Sequence, residues 1–186
     1  GHTVVLIDGD KQGSTAMWAV IREQNGIRPT VPTVQNVGSA LRFEVLELAQ
    51  RFEDVVIDVG GRDSRELRAA MVVADRLIIP FRPSQFDVWS LDRMAELIEA
   101  GHASNPELQC LAVINLAHPH PGVGESEEAQ AFLSNNQRMK LARAIVKDRI
   151  AYRRATRDGL AVVEMNPADK KAAAEMQALY AEVFHG

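Results

Sequence analysis

Apolar residues along this chain recur in two alternating patterns. Short unbroken runs come first: Val4–Ile7 ends at Asp8, Val55–Ile57 ends at Asp58, the segment RLIIP covers Arg76–Pro80, and LAVIN covers Leu111–Asn115. Between them lie longer stretches with apolar residues at helical spacing. These are Ser14–Asn25, Gly38–Arg51 with Leu41, Val45, Leu48 and Phe52 as its stripe, Ser64–Ala74, and Val88–Ala100 with Val88, Leu91, Met94, Ala95 and Ile98. Short runs of three or four apolar residues suit strands buried on both faces, and the 3.6 period suits amphipathic helices. Their alternation predicts βα units, right-handed crossovers and an α/β fold with a mainly parallel sheet and helices on both faces.

Finer features complete this reading. Ser14 is expected to N-cap the first helix, with Ala16, Trp18, Ala19 and Ile21 facing the core. Pro29 and Pro32 restrict Pro29–Val34 to a short extended piece. Arg76–Pro80 is expected to stop at its proline. Further expected elements are a helix over Ser126–Leu133, a fifth strand over Ala142–Val146, a helix over Ile150–Arg157, a short apolar piece over Leu160–Val163 and a closing helix over Asp169–Phe184. Nothing in the composition divides the 186 residues, so one domain is expected over residues 1–186.

Two of the buried runs end in acid. Asp8 and Asp10 close the first, before a polar turn with Gly9 and Gly13. Asp58 closes the second, before Gly60 and Gly61. Ligands of open α/β sheets bind outside the carboxyl ends of strands, and Mg²⁺ needs only one or two carboxylates because it keeps several waters. Asp10, two residues beyond Asp8, could reach a water beside a phosphate. The alternative is that these aspartates only cap turns and helix starts; spacing alone leaves both open.

Composition narrows the function classes. Cys110 is the single cysteine, so no internal disulfide forms, and its apolar surroundings point to a buried structural thiol. No apolar run approaches the length of a membrane span, which gives a cytoplasmic expectation with no membrane partner. Gly122 and Gly124 do not make a dinucleotide fingerprint, no nucleophile elbow occurs, and His118 and His120 lack partners for a metal site. Net charge is −4, yet the eight basic residues and one acid between Arg138 and Arg157 carry +7, leaving −11 elsewhere. Such a basic segment on an acidic chain points to a polyanion, or to a solvated helix face. The closing helix mixes Lys170 and Lys171 with Glu175 and Glu182, so packing on the domain is expected rather than membrane attachment.

At this point the motifs resemble a family. LIDGDKQGS within Val5–Ser14 resembles the Asp-x-Asp-Pro-Gln-Gly motif of ParA/MinD-type deviant Walker ATPases. VVIDVGG resembles their Walker B strand, IIPFRPSQFD (Ile78–Asp87) their strand-plus-loop segment, and VKDRIAYRRATRDGLAVVE (Val146–Glu164) their late basic segment. The set spans nearly the whole chain in the family's order and is most similar to small partition ATPases of plasmids and integrative elements.

The resemblance implies a P-loop NTPase-like fold, ATP/ADP and Mg²⁺ as cofactors, and ATP hydrolysis. Asp10 would position the attacking water, Asp8 would support the Mg²⁺ shell and Asp58 would hold Mg²⁺ through water. Asn115 would contact adenine, and Pro80 with the Arg82–Asp87 loop would lie by the base or a dimer face. Lys147, Arg149, Arg153, Arg154 and Arg157 would bind nonspecific DNA. Partners implied are DNA, a ParB-type adaptor and a second copy joined on ATP binding, with nucleoid association and segregation of plasmid or chromosomal-element DNA as the function.

Two departures stand out. Lys11 replaces the motif's proline. More severely, the family's Gly-rich K-G-G-x-G-K-[ST] loop does not occur in these residues. The first strand, P-loop and first helix are therefore expected to be missing from an N-terminally incomplete chain, whose sheet lacks its central strand. ATPase activity is expected only of a P-loop-containing form. The alternatives are a P-loop-less, non-enzymatic DNA- or partner-binding remnant, or an ATPase that positions a cargo other than DNA.

Overall fold

The computed structural model describes residues 2–38, 40–119 and 138–185, and of residues 85–89 the backbone alone. The chain divides into two compact units, the first comprising Gly1–Asp75, Gly101–Leu108 and Arg157–Gly159 and the second the remainder.

In the first unit, strand β1 (Val4–Asp8) pairs in parallel with β2 (Thr33–Gln35) on one side and β3 (Asp54–Asp58) on the other. Helix α1 (Ser14–Gln24) leads from β1 to β2, α2 (Leu41–Leu48) from β2 to β3, and α3 (Arg65–Val73) follows β3. Val5 and Ile7 are buried because β1 is central, and Ile7 packs with Leu41 and Val45 of α2 and Ala70 of α3. Burial of such side chains contributes about 1.5–3 kcal/mol each. Helix α3 is capped at both ends: Ser64 Oγ accepts from the Leu67 amide at 3.1 Å, and Asn105 Nδ2 donates to the carbonyls of Met71 and Ala74 at 2.9 and 2.8 Å.

In the second unit β5 (Gln109–Ile114) is central, between β4 (Arg76–Phe81) and β6 (Lys140–Leu141), again all parallel. Cys110, Ala112, Val113 and Ile114 are buried on it. Burial pushes the Cys110 thiol up to about 11, which keeps it protonated and inert. Helix α4 (Gln85–His102) buries Leu91, Ala95 and Ile98 of the predicted stripe, with Met94 half-buried. Helices α5 (Ile150–Arg157) and α6 (Lys170–His185) enclose a small core of Ala151, Ala155, Val162 and Ala172, so the closing helix packs on its own unit as expected.

The described strands make two three-stranded parallel sheets accompanied by helices, in keeping with the expected mainly parallel α/β class. Several finer expectations need correction. Pro80 does not end its strand; β4 runs through it to Phe81. The edge position permits this, since proline has no N–H for a ladder. Segment Ala142–Val146 is not a strand. The ladder occupies Lys140–Leu141, and the following residues reach β5 through the amides of Ala142 and Val146 and by packing of both side chains with Val113. Half of the Arg82–Asp87 loop is helical, because α4 starts at Gln85. The Leu160–Val163 piece is a 3₁₀ turn over Val162–Glu164. The expected helix over Ser126–Leu133 and His120 lie outside the described residues.

Candidate functional site

Asp8, Gln35 and Asp58 stand in register at the carboxyl ends of three adjacent strands. The backbone holds the ends together just beyond them. The Gly9 amide donates to the Asp58 carbonyl at 2.8 Å and the Asn36 amide to the Asp8 carbonyl at 2.9 Å. Gly9 fits closely there, since a Cβ would lie 3.0 Å from Val59 Cγ1 and 3.3 Å from the Asp58 carbonyl oxygen.

Asp8 is fully buried, and both its oxygens accept backbone N–H groups: Oδ1 from Asp10 at 3.1 Å, Oδ2 from Ala16 at 2.8 Å. The second bond replaces the expected cap. Gly13, in the left-handed region at φ 67°, occupies the N-cap position, and Ser14 is already helical. Asp8 thus supplies from the strand the acceptor that the first turn of α1 needs, and the helix dipole favours its negative charge. A buried carboxylate engaged in this way is a poor direct metal ligand.

Asp10 is half-buried. Its Oδ1 accepts from the Gln12 amide at 3.0 Å, which fixes the turn. Its Oδ2 faces Gly60, where a Cβ would come within 3.3 Å. Asp58 is exposed at the end of β3, and its Oδ2 accepts from Thr15 Oγ1 at 2.6 Å. One oxygen of each carboxylate, Asp10 Oδ2 and Asp58 Oδ1, has no hydrogen-bond partner among the described residues. Thr15 and Gly60 escaped the sequence reading. The only available signals were a hydroxyl one position inside a helix start and a glycine after a strand-end acid.

Magnesium chemistry fits this set in part. The described residues hold no group of three or more His, Cys, Asp or Glu side chains that could cage a metal. Mg²⁺ with one carboxylate and several waters needs no such cage. Asp58 fits that role; Asp8, with both oxygens occupied, does not fit as a direct ligand. A phosphate cradle is not among these residues.

The remaining candidates lie in the second unit. Asn115 is half-buried just past β5; its amide donates to the Phe81 carbonyl at 2.7 Å, and its Oδ1 accepts from the Leu116 amide at 2.9 Å. Pro80 is exposed on β4, opposite Val113. The five basic candidates separate. Arg149 is 16% exposed, and its guanidinium grips Glu175 with contacts of 2.5–3.1 Å. That geometry makes it structural, so it leaves the DNA-facing set. The Lys147 amide donates to the same carboxylate, while its Nζ reaches the Pro119 carbonyl. Arg153 and Arg157 are exposed and pair with Asp148 and Asp158. Arg154 is exposed and has no ion pair among the described residues.

Among the expected core aromatics, Trp18 is half-buried with the Arg22 guanidinium 5.4 Å from its ring centre. Arg22 is the buried residue of α1, a position the apolar pattern could not reveal; its Nε donates to the Pro29 carbonyl and its Nη1 to the Gly159 carbonyl.

No family model matches the chain. It is 28% identical over 192 residues to the maintenance of carboxysome distribution protein A of Halothiobacillus neapolitanus, covering 97% of this chain and 82% of that protein. A ParA family protein of Mycoplasma pneumoniae is 30% identical over 69 residues, 37% of this chain and 26% of that one. Among solved structures, septum site-determining protein MinD of Pyrococcus horikoshii, complexed with Mg-ADP, superposes with a TM-score of 0.71 at 17% identity, over 99% of this chain and 84% of that one. The class is therefore a parallel α/β protein with the MinD-like, P-loop NTPase fold. The chain is similar to proteins named for the ParA and MinD families, in agreement with the resemblance carried by its ordered motifs.

Proposed function

We propose that this chain forms the water-and-metal side of a ParA-like positioning ATPase. The observation that carries this reading is the convergence of Asp8, Asp10 and Asp58 at adjacent strand ends, with Asp10 Oδ2 and Asp58 Oδ1 left open. Asp10, held by its turn, orients a water for attack on phosphate. Asp58, oriented by Thr15, accepts hydrogen bonds from the water shell of Mg²⁺. Asp8 organises both by anchoring the turn and α1. Bound Mg²⁺ supplies charge neutralisation on phosphate, and catalysis in such a site is mostly positioning. Asn115, at the end of β5, is the candidate for adenine, and Pro80 for the base or dimer face.

The cargo reading favours a protein compartment, because the relative aligned along nearly the whole chain is named for carboxysome distribution. Segregation of plasmid DNA is the alternative. Either way, the proposal includes nucleotide-driven dimerisation, an adaptor on the cargo, and nonspecific DNA as the track. Exposed Arg153 and Arg157 would contact its phosphates with strong salt dependence.

The test is Asp10→Ala in the product of the complete gene, assayed for Mg-ATP binding and hydrolysis. Turnover is expected to fall by about 100-fold or more with binding retained. Wild-type turnover would overturn the assignment of Asp10. A complete gene product that binds no ATP would establish the non-enzymatic alternative instead.

A further inference from the structure

The second unit carries an open groove of ≈ 710 Å³ that the hydrolase site does not use. Its apolar lining comes from Ile150, Ala151, Met165, Pro167 and Ala168. Ile150 is 57% exposed, a large amount for isoleucine at the start of a helix. Around this lining stand Arg149, Arg154, Lys170 and Lys171, with Asp148 and Asp169 as the acids.

The acids offset the rim only in part. Asp148 is held by Arg153, outside the groove, at 2.6 Å. Asp169 accepts the amides of Lys171 and Ala172 and so caps α6, but it keeps its negative charge and offsets one of the cations. Arg149 is held by Glu175. The cations Arg154, Lys170 and Lys171 remain, each exposed and without an ion pair among the described residues.

We infer that this groove docks an acidic peptide segment of a partner protein, with an apolar side chain against Met165 and Pro167 and flanking carboxylates against Arg154, Lys170 and Lys171. Charge complementarity selects an anion. The apolar lining selects a peptide over DNA, whose phosphates gain nothing from methionine and proline surface. This inference goes beyond the proposed hydrolase function and does not depend on it. It also moves Arg154 from the DNA face to the groove, leaving Arg153 and Arg157 outside it.

The experiment measures fluorescence anisotropy of the full chain with a labelled dodecapeptide of alternating glutamate and leucine. The glutamine–leucine peptide is the neutral control, and an unlabelled 24-base-pair duplex is the competitor. The acidic peptide is expected to bind, and Arg154→Glu with Lys170→Glu to weaken it by about tenfold or more, as loss of several rim charges implies. Lys140→Glu, a charge reversal outside the groove, is expected to leave binding unchanged, with far-UV circular dichroism confirming the fold of each variant. Met165→Ser provides an uncoupled check, since it removes the apolar contact without changing any charge, and is also expected to weaken the peptide. Equal binding of the neutral peptide, or equal weakening by Lys140→Glu, would overturn the inference. So would displacement by the duplex with the same sensitivity to Arg154→Glu and Lys170→Glu, which would mark a nucleic-acid surface.

Discussion

Asp8 and Asp58 face each other across a ladder, yet their environments assign them opposite tasks. Asp8 has no exposure and two main-chain donors; Asp58 is exposed and has one hydroxyl donor. Strand-end acids were legible in the sequence because an apolar run ending in Asp is a visible pattern. The division of labour was not, because it depends on amides contributed by Asp10 and Ala16, and amides leave no mark on residue type. Of the two readings left open at the sequence level, the capping one holds for Asp8, whose oxygens accept the Asp10 and Ala16 amides. At this scale the sharpest prediction concerns Gly60. A methyl group there would meet Asp10 Oδ2 at 3.3 Å, so Asp10 has to shift by a few tenths of an ångström. Gly60→Ala in the complete gene product should lower ATP turnover by about tenfold through misplacement of Asp10. Its urea unfolding midpoint should match wild type, because the position opens toward a side chain and not toward backbone.

The helices and central strands were the most readable elements. Four apolar stripes or runs located α2, α4, β1 and β5 because periodicity directly encodes burial. Errors came where a residue's usual meaning was overridden by its neighbours. Pro80 lies within β4 because an edge strand asks nothing of its missing N–H. Ser14 is not the cap of α1 because Asp8 reaches the turn first and Gly13 takes the left-handed position. Helix α1 also departs from the amphipathic rule. Met17 is 60% exposed, while the residue buried on it is Arg22. Its fit depends on Gly159, which lies at φ 72° with its missing Cβ 2.5 Å from the Arg22 amide nitrogen. Here the obstruction is backbone and cannot rotate away. Gly159→Ala should therefore cost more than about 2 kcal/mol of stability. A drop in the urea midpoint at constant slope would report it, and an unchanged midpoint would refute the packing argument.

Across the whole chain, the α/β class and the order of its units were legible because strand and helix patterns alternate. Division into two three-stranded sheets was not, since strand neighbours are set by pairing over long sequence distance. The second unit has a pH signature of its own. Burial pushes Glu175 up, but the Arg149 guanidinium, the Lys147 amide and the Tyr152 hydroxyl outweigh it, so the carboxyl sits below its ordinary 4.5. Its stabilising contribution is complete above that ordinary value and is lost as pH falls through the lowered one. Tyr152 runs the other way. Burial first, and then the Glu175 charge, raise it from 10.0 to about 12, so its contribution is complete below pH 10 and is lost as pH rises toward 12. Stability of the chain against urea should therefore show a plateau with an acid and an alkaline flank. Glu175→Gln should flatten the acid flank, and Tyr152→Phe the alkaline one. Flanks unchanged by these substitutions would show that other groups set the limits.

The pairing of Thr15 with Asp58 links two things that are usually separable. The first turn of α1 is tied to the sheet twice, once through Ala16 to Asp8 and once through Thr15 to Asp58. Entry into the helix and aim of the exposed carboxylate are thus parts of one small truss. Whatever draws Asp58 outward also pulls on Thr15, while the Asp8 bond resists as a fixed pivot. A displacement of Asp58 would therefore be felt by the first turn of α1, whose other end is fastened by the Arg22 guanidinium to the Gly159 carbonyl.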